Sequence, residues 1–175
     1  MFLEPQNVIE QLDLQSGSRV ADLGAGTGAL SLLAARAVGD AGKVYAVEVQ
    51  KGLLERLKKE AREARVYNVE ALWGDVERVN GTHLGAASVD AVLAANILFQ
   101  VEDRNGFVAE TKRILKPGGK LLLVDWTDSF GGMGPHKDHV ITEQNGQALF
   151  EAAGFRFVKK INAGAHHYGI VFKKS

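Results

Sequence analysis

One stretch constrains this chain more than any other: "RVADLGAGTGALSLLAARAV", Arg19 to Val38. A short apolar run leads into glycines at 24, 26 and 28, and then into Leu30, Leu33, Ala34 and Ala37. The last four follow i, i+3, i+4, i+7, the spacing of a helix with one buried face. The unit reads as strand, tight glycine turn, helix. A turn without Cβ atoms lets backbone approach a ligand. In an open parallel sheet that turn lies at the carboxyl end of the strand, where ligands bind.

The same alternation continues along the chain. "EPQNVIEQLDL" places Pro5 at a first helical position, with Val8, Ile9 and Leu12 on one side. "KVYAVEV" and "VEALWGD" read as the second and third strands. Between them, Leu54, Leu57, Ala61 and Ala64 mark a helix, with Glu55 and Lys59 paired on its wet side. "SVDAVLAANIL" holds a fourth strand, and Phe107, Thr111, Ile114 and Leu115 line a helix ending at "KPGG". "KLLLVDW" is apolar on both faces and is expected at the sheet centre. Thr142 caps a helix that Gly154 ends. "FRFVKKI" and "HHYGIVF" are joined too closely for a parallel crossover and must pair antiparallel. Alternating strands and helices predict an α/β doubly wound, three-layer sandwich around a mostly parallel sheet.

Composition narrows the function classes. The 175 residues, 46% hydrophobic and 24% charged, suit one globular domain over 1–175. Twenty-one basic and 21 acidic side chains cancel, so no global field attracts nucleic acid. The absence of cysteine excludes disulfides, thiolate metal sites and a cysteine nucleophile. No segment reads as a signal peptide or membrane span, which gives a cytoplasmic expectation.

Two cofactor classes compete for the glycine turn. "GAGTGA" also satisfies a dinucleotide fingerprint, and Glu48 at the end of the second strand suits the ribose of either class. Asp22 separates them. It would repel a pyrophosphate over the turn but favour the sulfonium and α-ammonium of S-adenosylmethionine. At ~4 Å and an effective dielectric of ~20 such a pair is worth up to ~4 kcal/mol before desolvation. Asp22 could equally serve as a turn residue bonded to backbone, and the two roles are compatible. Asp75, ending the third strand, can accept from an adenine amino group or cap a helix.

These stretches together resemble a known family. "VADLGAGTGALS", "VYAVEV", "WGDV", "VDAVLAANIL" and "ILKPGGKLLLVD" are similar, in order and spacing, to the motifs of class I S-adenosylmethionine-dependent methyltransferases. The resemblance covers nearly the whole chain. It implies a seven-stranded sheet whose seventh strand enters antiparallel beside the fifth. It also implies that Asp22, Gly24, Ala25 and Gly26 hold the methionine part of S-adenosylmethionine, and that Glu48 binds the ribose. Val49, Asp75 and Val76 would surround the adenine, with Ala94 and Ala95 closing the site by main chain. S-adenosylhomocysteine would be the product. The chain lacks the (Asp/Asn)-Pro-Pro-(Tyr/Phe) motif of base-amino methylation. It has Phe99 and Gln100 where many small-molecule relatives carry two histidines. A small molecule or protein side chain is the expected acceptor, and nucleic acid is disfavoured.

Two segments can cover such a site: residues 1–17, and the glycine-rich loop 127–140. The loop holds Asp128, His136 and His139, candidates for a general base. They can equally be solvated loop residues. His136 and His139 have metal-ligand chemistry, but no helix fixes their spacing and no metal is expected. Phe99 and Trp126 are candidates to wall an acceptor pocket, or to pack at its rim. His166, His167 and Tyr168 read as structural. Methyl transfer is the expected activity. The alternatives are a cofactor-binding module acting through a partner, and a nicotinamide-dependent oxidoreductase.

Overall fold

The computed structural model describes residues 3–175, so the first two residues of the predicted 1–17 cap lie outside it. Helix α1 (Pro5–Leu12) precedes β1 (Arg19–Leu23), α2 (Ala29–Val38), β2 (Lys43–Glu48), α3 (Lys51–Glu63) and β3 (Val69–Trp73). Then follow β4 (Val89–Ala95), α4 (Arg104–Ile114), β5 (Leu115–Trp126), α5 (Glu143–Ala152), β6 (Phe155–Ile161) and β7 (His167–Lys174). The strands form one seven-stranded sheet in the order β3-β2-β1-β4-β5-β7-β6. β1 to β5 run parallel, and β7 lies antiparallel between β5 and β6. The central place of β5 follows from its sequence: Leu121 to Val124 are all fully buried, so both faces of the strand are covered.

The two faces of the sheet carry separate cores. On one, Val8, Ile9 and Leu12 of α1 join Ala34, Ala35 and Val38 of α2 over Val20, Val44 and Leu122. On the other, Phe107, Val108 and Ile114 of α4 and Phe150 of α5 pack over Leu121, Leu123, Ile170 and Phe172. Phe150 meets Phe155 edge-on, with centroids 5.5 Å apart and planes at 83°. That geometry contributes ~0.5–1.5 kcal/mol beyond area burial.

Several local expectations are corrected. The buried face of α2 is Leu30, Ser31, Ala34, Ala35 and Val38, while Leu33 is half-buried and Ala37 exposed. The rotation brings Ser31 inward, where Asp22 receives its hydroxyl. Glu55 pairs with Lys58 at 2.9 Å, and Lys59 turns to Glu63 instead. Leu115 opens β5 rather than closing α4, because Leu115 pairs with Val89 of β4.

Between β3 and β4 no helix forms, which interrupts the alternation of strands and helices. Residues 74–88 run as turns, with Asn80, His83 and Ala87 at positive φ. The segment contains "NG" and two further glycines, which punctuate any helical pattern. Glu110 of α4 replaces the missing helix's internal bonds. Its carboxylate accepts from the Asn80 amide at 2.8 Å, from the Thr82 amide at 3.3 Å and from the Thr82 hydroxyl at 2.6 Å. Arg113 adds two bonds at 2.7 Å. Burial alone would raise the Glu110 pKa; these donors outweigh it and bring it to about 2.

Candidate functional site

β1 is flanked by β2 and β4, so the order of winding reverses there and opens a crevice beyond the strand ends. The turn after β1 is fastened to β2: Gly24 and Ala25 both donate to the Val47 carbonyl, at 2.9 and 3.0 Å. Gly24 and Gly26 sit at φ 73° and 58°, a region costly for residues with a Cβ. A Cβ on Gly24 would strike Ile97, whereas one on Gly26 would meet nothing within 4 Å. Space is therefore kept clear above Gly26, on the cavity side.

That cavity measures about 420 Å³. Asp22, Gly24, Ala25, Gly26, Glu48, Val49, Asp75 and Val76 all border it, as does Ala95. Ala94 does not; its side chain is fully buried in the core. Strand periodicity accounts for the pair, since neighbours on β4 face opposite ways. The chemistry of the lining is one-sided. Four carboxylates border it, those of Asp22, Glu48, Asp75 and Glu77, and no lysine, arginine or histidine does.

Asp22 is 3% exposed and accepts the Ser31 hydroxyl at 2.6 Å. No cation pairs with it among the described residues. Burial pushes its pKa up to about 6, against the Ser31 bond, with Glu48 adding repulsion. Its partner is a side chain, so Asp22 is not a turn residue bonded to backbone. A cation in the cavity would supply the missing partner, and an anion would worsen the conflict.

Glu48 grips the strand ends. Its Oε2 accepts from Gly26 at 3.0 Å, and its Oε1 accepts from Val49 and Gln50 at 2.9 and 3.0 Å. Oε2 retains a free lone pair; a diol that engaged both oxygens would displace a backbone donor from Oε1. Asp75 accepts from the Glu77 amide at 3.0 Å and lies 3.2 Å from Arg78. No helix follows it, so the alternative of a helix cap for Asp75 gives way to a turn.

The acceptor-side candidates lie elsewhere. None of residues 127–140 borders the cavity, so Asp128, His136 and His139 stand apart from it. Asp128 is bound to His166 Nδ1 at 2.8 Å, and His136 pairs with Asp138 at 3.1 Å. No group of three or more histidine, aspartate or glutamate side chains suited to a metal occurs among the described residues. Phe99 and Trp126 do not border the cavity either. Trp126 packs on His167 with ring centroids 4.3 Å apart. Of segment 1–17, only Leu3 among the described residues reaches the lining.

The sequence motifs assigned no site role to Glu77, nor to Asn96, Ile97, Gln100 and Val101, which border the cavity just beyond β4. Asp125 holds this turn: its carboxylate accepts from the Leu98 amide at 2.9 Å and the Trp126 amide at 2.8 Å. The signal was present in "AANILFQ", directly after an apolar strand, but the chain's path after β4 is set by Asp125, 27 residues away in sequence.

A crevice at the switch point, an open glycine turn and carboxylates at three strand ends make a cavity whose lining suits a positively charged ligand. Comparison with known proteins agrees. The methyltransferase domain profile matches residues 21–123, which is more than half of the chain. The chain belongs to the class I S-adenosylmethionine-dependent methyltransferase family. It is 32% identical over 108 residues to aklanonic acid methyltransferase DauC of Streptomyces sp. (strain C5), covering 62% of this chain and 48% of that protein. It is 29% identical over 126 residues to the ubiquinone/menaquinone biosynthesis C-methyltransferase UbiE of Shewanella halifaxensis, covering 68% and 47%. The chain thus spans about half the length of these curated relatives. Its fold superposes on a SAM-dependent methyltransferase from Aquifex aeolicus with a TM-score of 0.89 and 26% identity, over 99% of this chain and 91% of that one. No described helix is long and apolar enough to cross a membrane.

Proposed function

We propose that the protein transfers the methyl group of S-adenosylmethionine to a small-molecule acceptor. The observation that carries this is the lining of the cavity: four carboxylates, two of them (Asp22 and Glu48) buried without a cation, and no basic side chain among the described residues. When bound, S-adenosylmethionine supplies an electrophilic methyl group on a positively charged sulfur. Asp22 would face the positive end of that ligand, with the backbone of Gly24 to Gly26 beneath it. Glu48 would take the ribose, and Val49, Asp75 and Val76 the adenine. Ala95 and its successors would form the wall on the acceptor side. Ala94 has no such role on this placement.

The same lining argues against the dinucleotide reading, because two phosphates would meet Asp22 and Glu48 with no basic side chain to offset them. It also argues against a polyanionic acceptor such as a nucleic acid. The relatives' names support a small molecule: one is named for aklanonic acid and another for ubiquinone and menaquinone biosynthesis.

No histidine borders the cavity, and this favours a second reading, a cofactor-binding module that acts through a partner. Methyl transfer by alignment alone requires no base, so the enzyme reading stands first. Calorimetry with S-adenosylmethionine, S-adenosylhomocysteine and NAD tests the donor: binding of NAD alone would overturn the reading. Label transfer from methyl-labelled S-adenosylmethionine into small-molecule extracts separates enzyme from module.

A further inference from the structure

The acceptor wall holds one polar side chain whose orientation can be worked out. Asn96 follows β4, sits at φ 53°, and borders the cavity. Its side-chain amide lies 2.9 Å from His167 Nε2, across 71 residues of sequence. His167 is 8% exposed, and its other nitrogen, Nδ1, lies 3.0 Å from the Ala165 carbonyl. A carbonyl only accepts, so Nδ1 carries a proton. No carboxylate bonds to this ring. Burial lowers its pKa, and the nearby His166 lowers it further against the Ala165 bond and the more distant Asp128. A buried ring with no carboxylate bonded to it favours the neutral form, which leaves a lone pair at Nε2.

A lone pair needs a donor, and the donor of an amide is its nitrogen. Asn96 is placed with Oδ1 toward His167, an arrangement that suits only a doubly protonated ring. The two ends of an amide have the same shape, and their assignment follows the hydrogen bonds. Turned by half a rotation, the amide gives its nitrogen to His167. Its oxygen then takes the other side, where the free end meets no partner among the described residues.

We propose that Asn96, its amide oriented by His167, recognises the methyl acceptor through a side-chain oxygen that receives a hydrogen bond from a neutral hydroxyl or N–H group. This rests on the methyltransferase reading above. His167 is a positioning residue that acts through Asn96 and moves no proton. Ile97 and Val101 flank Asn96 with apolar surface, and the carboxylates of the lining reject an anion. The acceptor class is a small, largely apolar molecule bearing a neutral hydrogen-bond donor. A carboxylate or a methyl ether would leave the Asn96 oxygen unpaired.

The experiment uses phenol as probe, with anisole and benzoate as the analogues that lack a donor. Calorimetry first establishes that the protein binds S-adenosylhomocysteine; failure there overturns the methyltransferase reading, and this inference with it. On the loaded protein, phenol should bind about tenfold tighter than anisole or benzoate. Asn96→Leu should erase that preference and Asn96→Asp should keep it, because a carboxylate also accepts. His167→Gln should keep it, since a glutamine oxygen can accept from the Asn96 nitrogen, and His167→Phe should lose it. Long-range proton–nitrogen NMR should place the His167 proton on Nδ1. Equal affinity for the three probes on loaded wild type, or a His167 proton on Nε2, overturns the proposal while leaving the donor site intact.

Discussion

Asp22 and Ser31 meet inside the protein across 2.6 Å, and the hydroxyl is the only side-chain donor to that carboxylate among the described residues. A charge so placed opposes folding until a cation arrives. With its pKa raised from 3.8 to about 6, ionised Asp22 lowers the stability of the ligand-free protein by about 3 kcal/mol at neutral pH. Asp22→Asn is isosteric and carries no charge. It should raise the melting temperature of the ligand-free protein at pH 8 by several degrees and weaken S-adenosylmethionine binding more than tenfold. A melting temperature that falls would show that the carboxylate is not a stored liability.

The pH profile follows from three buried carboxyls. Asp22 and Asp125 both have pKa values raised to about 6, chiefly by burial, so the folded protein binds their protons more tightly than the unfolded chain. That contribution is complete at low pH and is lost as pH rises from about 4 through 6. Glu110, lowered from 4.5 to about 2, works the other way, and its contribution disappears as pH falls through that window. Urea unfolding without ligand should therefore show stability declining between pH 4 and 6. S-adenosylmethionine should flatten the decline, by pairing with Asp22.

Gly26 and Gly17 give a matched comparison. Both have positive φ, and a Cβ on either meets nothing within 4 Å. Alanine at each should cost ~1–2 kcal/mol of backbone strain. Only Gly26 borders the cavity. Calorimetry should find donor binding lost in Gly26→Ala and retained in Gly17→Ala. Equal effects would remove Gly26 from the cradle.

Glu110→Ala should destabilise by ~3–5 kcal/mol, since it leaves Arg113 and the buried Thr82 without their partner. Limited proteolysis should then cut first within residues 74–88, the segment that Glu110 ties down. Cleavage elsewhere would show that this segment is held by other means.

Tyr168 has a hydroxyl that is buried without a hydrogen-bond partner. An unmet polar group of this kind is destabilising by ~1–3 kcal/mol. Tyr168→Phe should match or exceed the wild type in chemical denaturation; a clear loss of stability would reveal a bond to that oxygen.

Periodicity, glycine placement and turn residues act over a few positions, and these features were legible by themselves. β1, its glycine turn, the apolar β5 and the closing antiparallel pair all follow from such local rules. So does the position of Asp22, Glu48 and Asp75 at strand ends. What the sequence could not show depends on contacts between distant segments. Fifteen residues link β3 to β4, and whether they coil or turn was decided by Glu110, which reaches Asn80 across 30 positions. Loop 127–140 carried attractive residues but follows its own path, with Asp128 committed to His166 instead of the cavity. Asn96 and His167 became partners only because β7 inserts beside β5, bringing the start of one strand to the end of another. The glycine turn and the carboxylates of the cavity were thus written in local backbone geometry. The wall beyond β4 was set by strand order, which joins side chains that no short pattern relates.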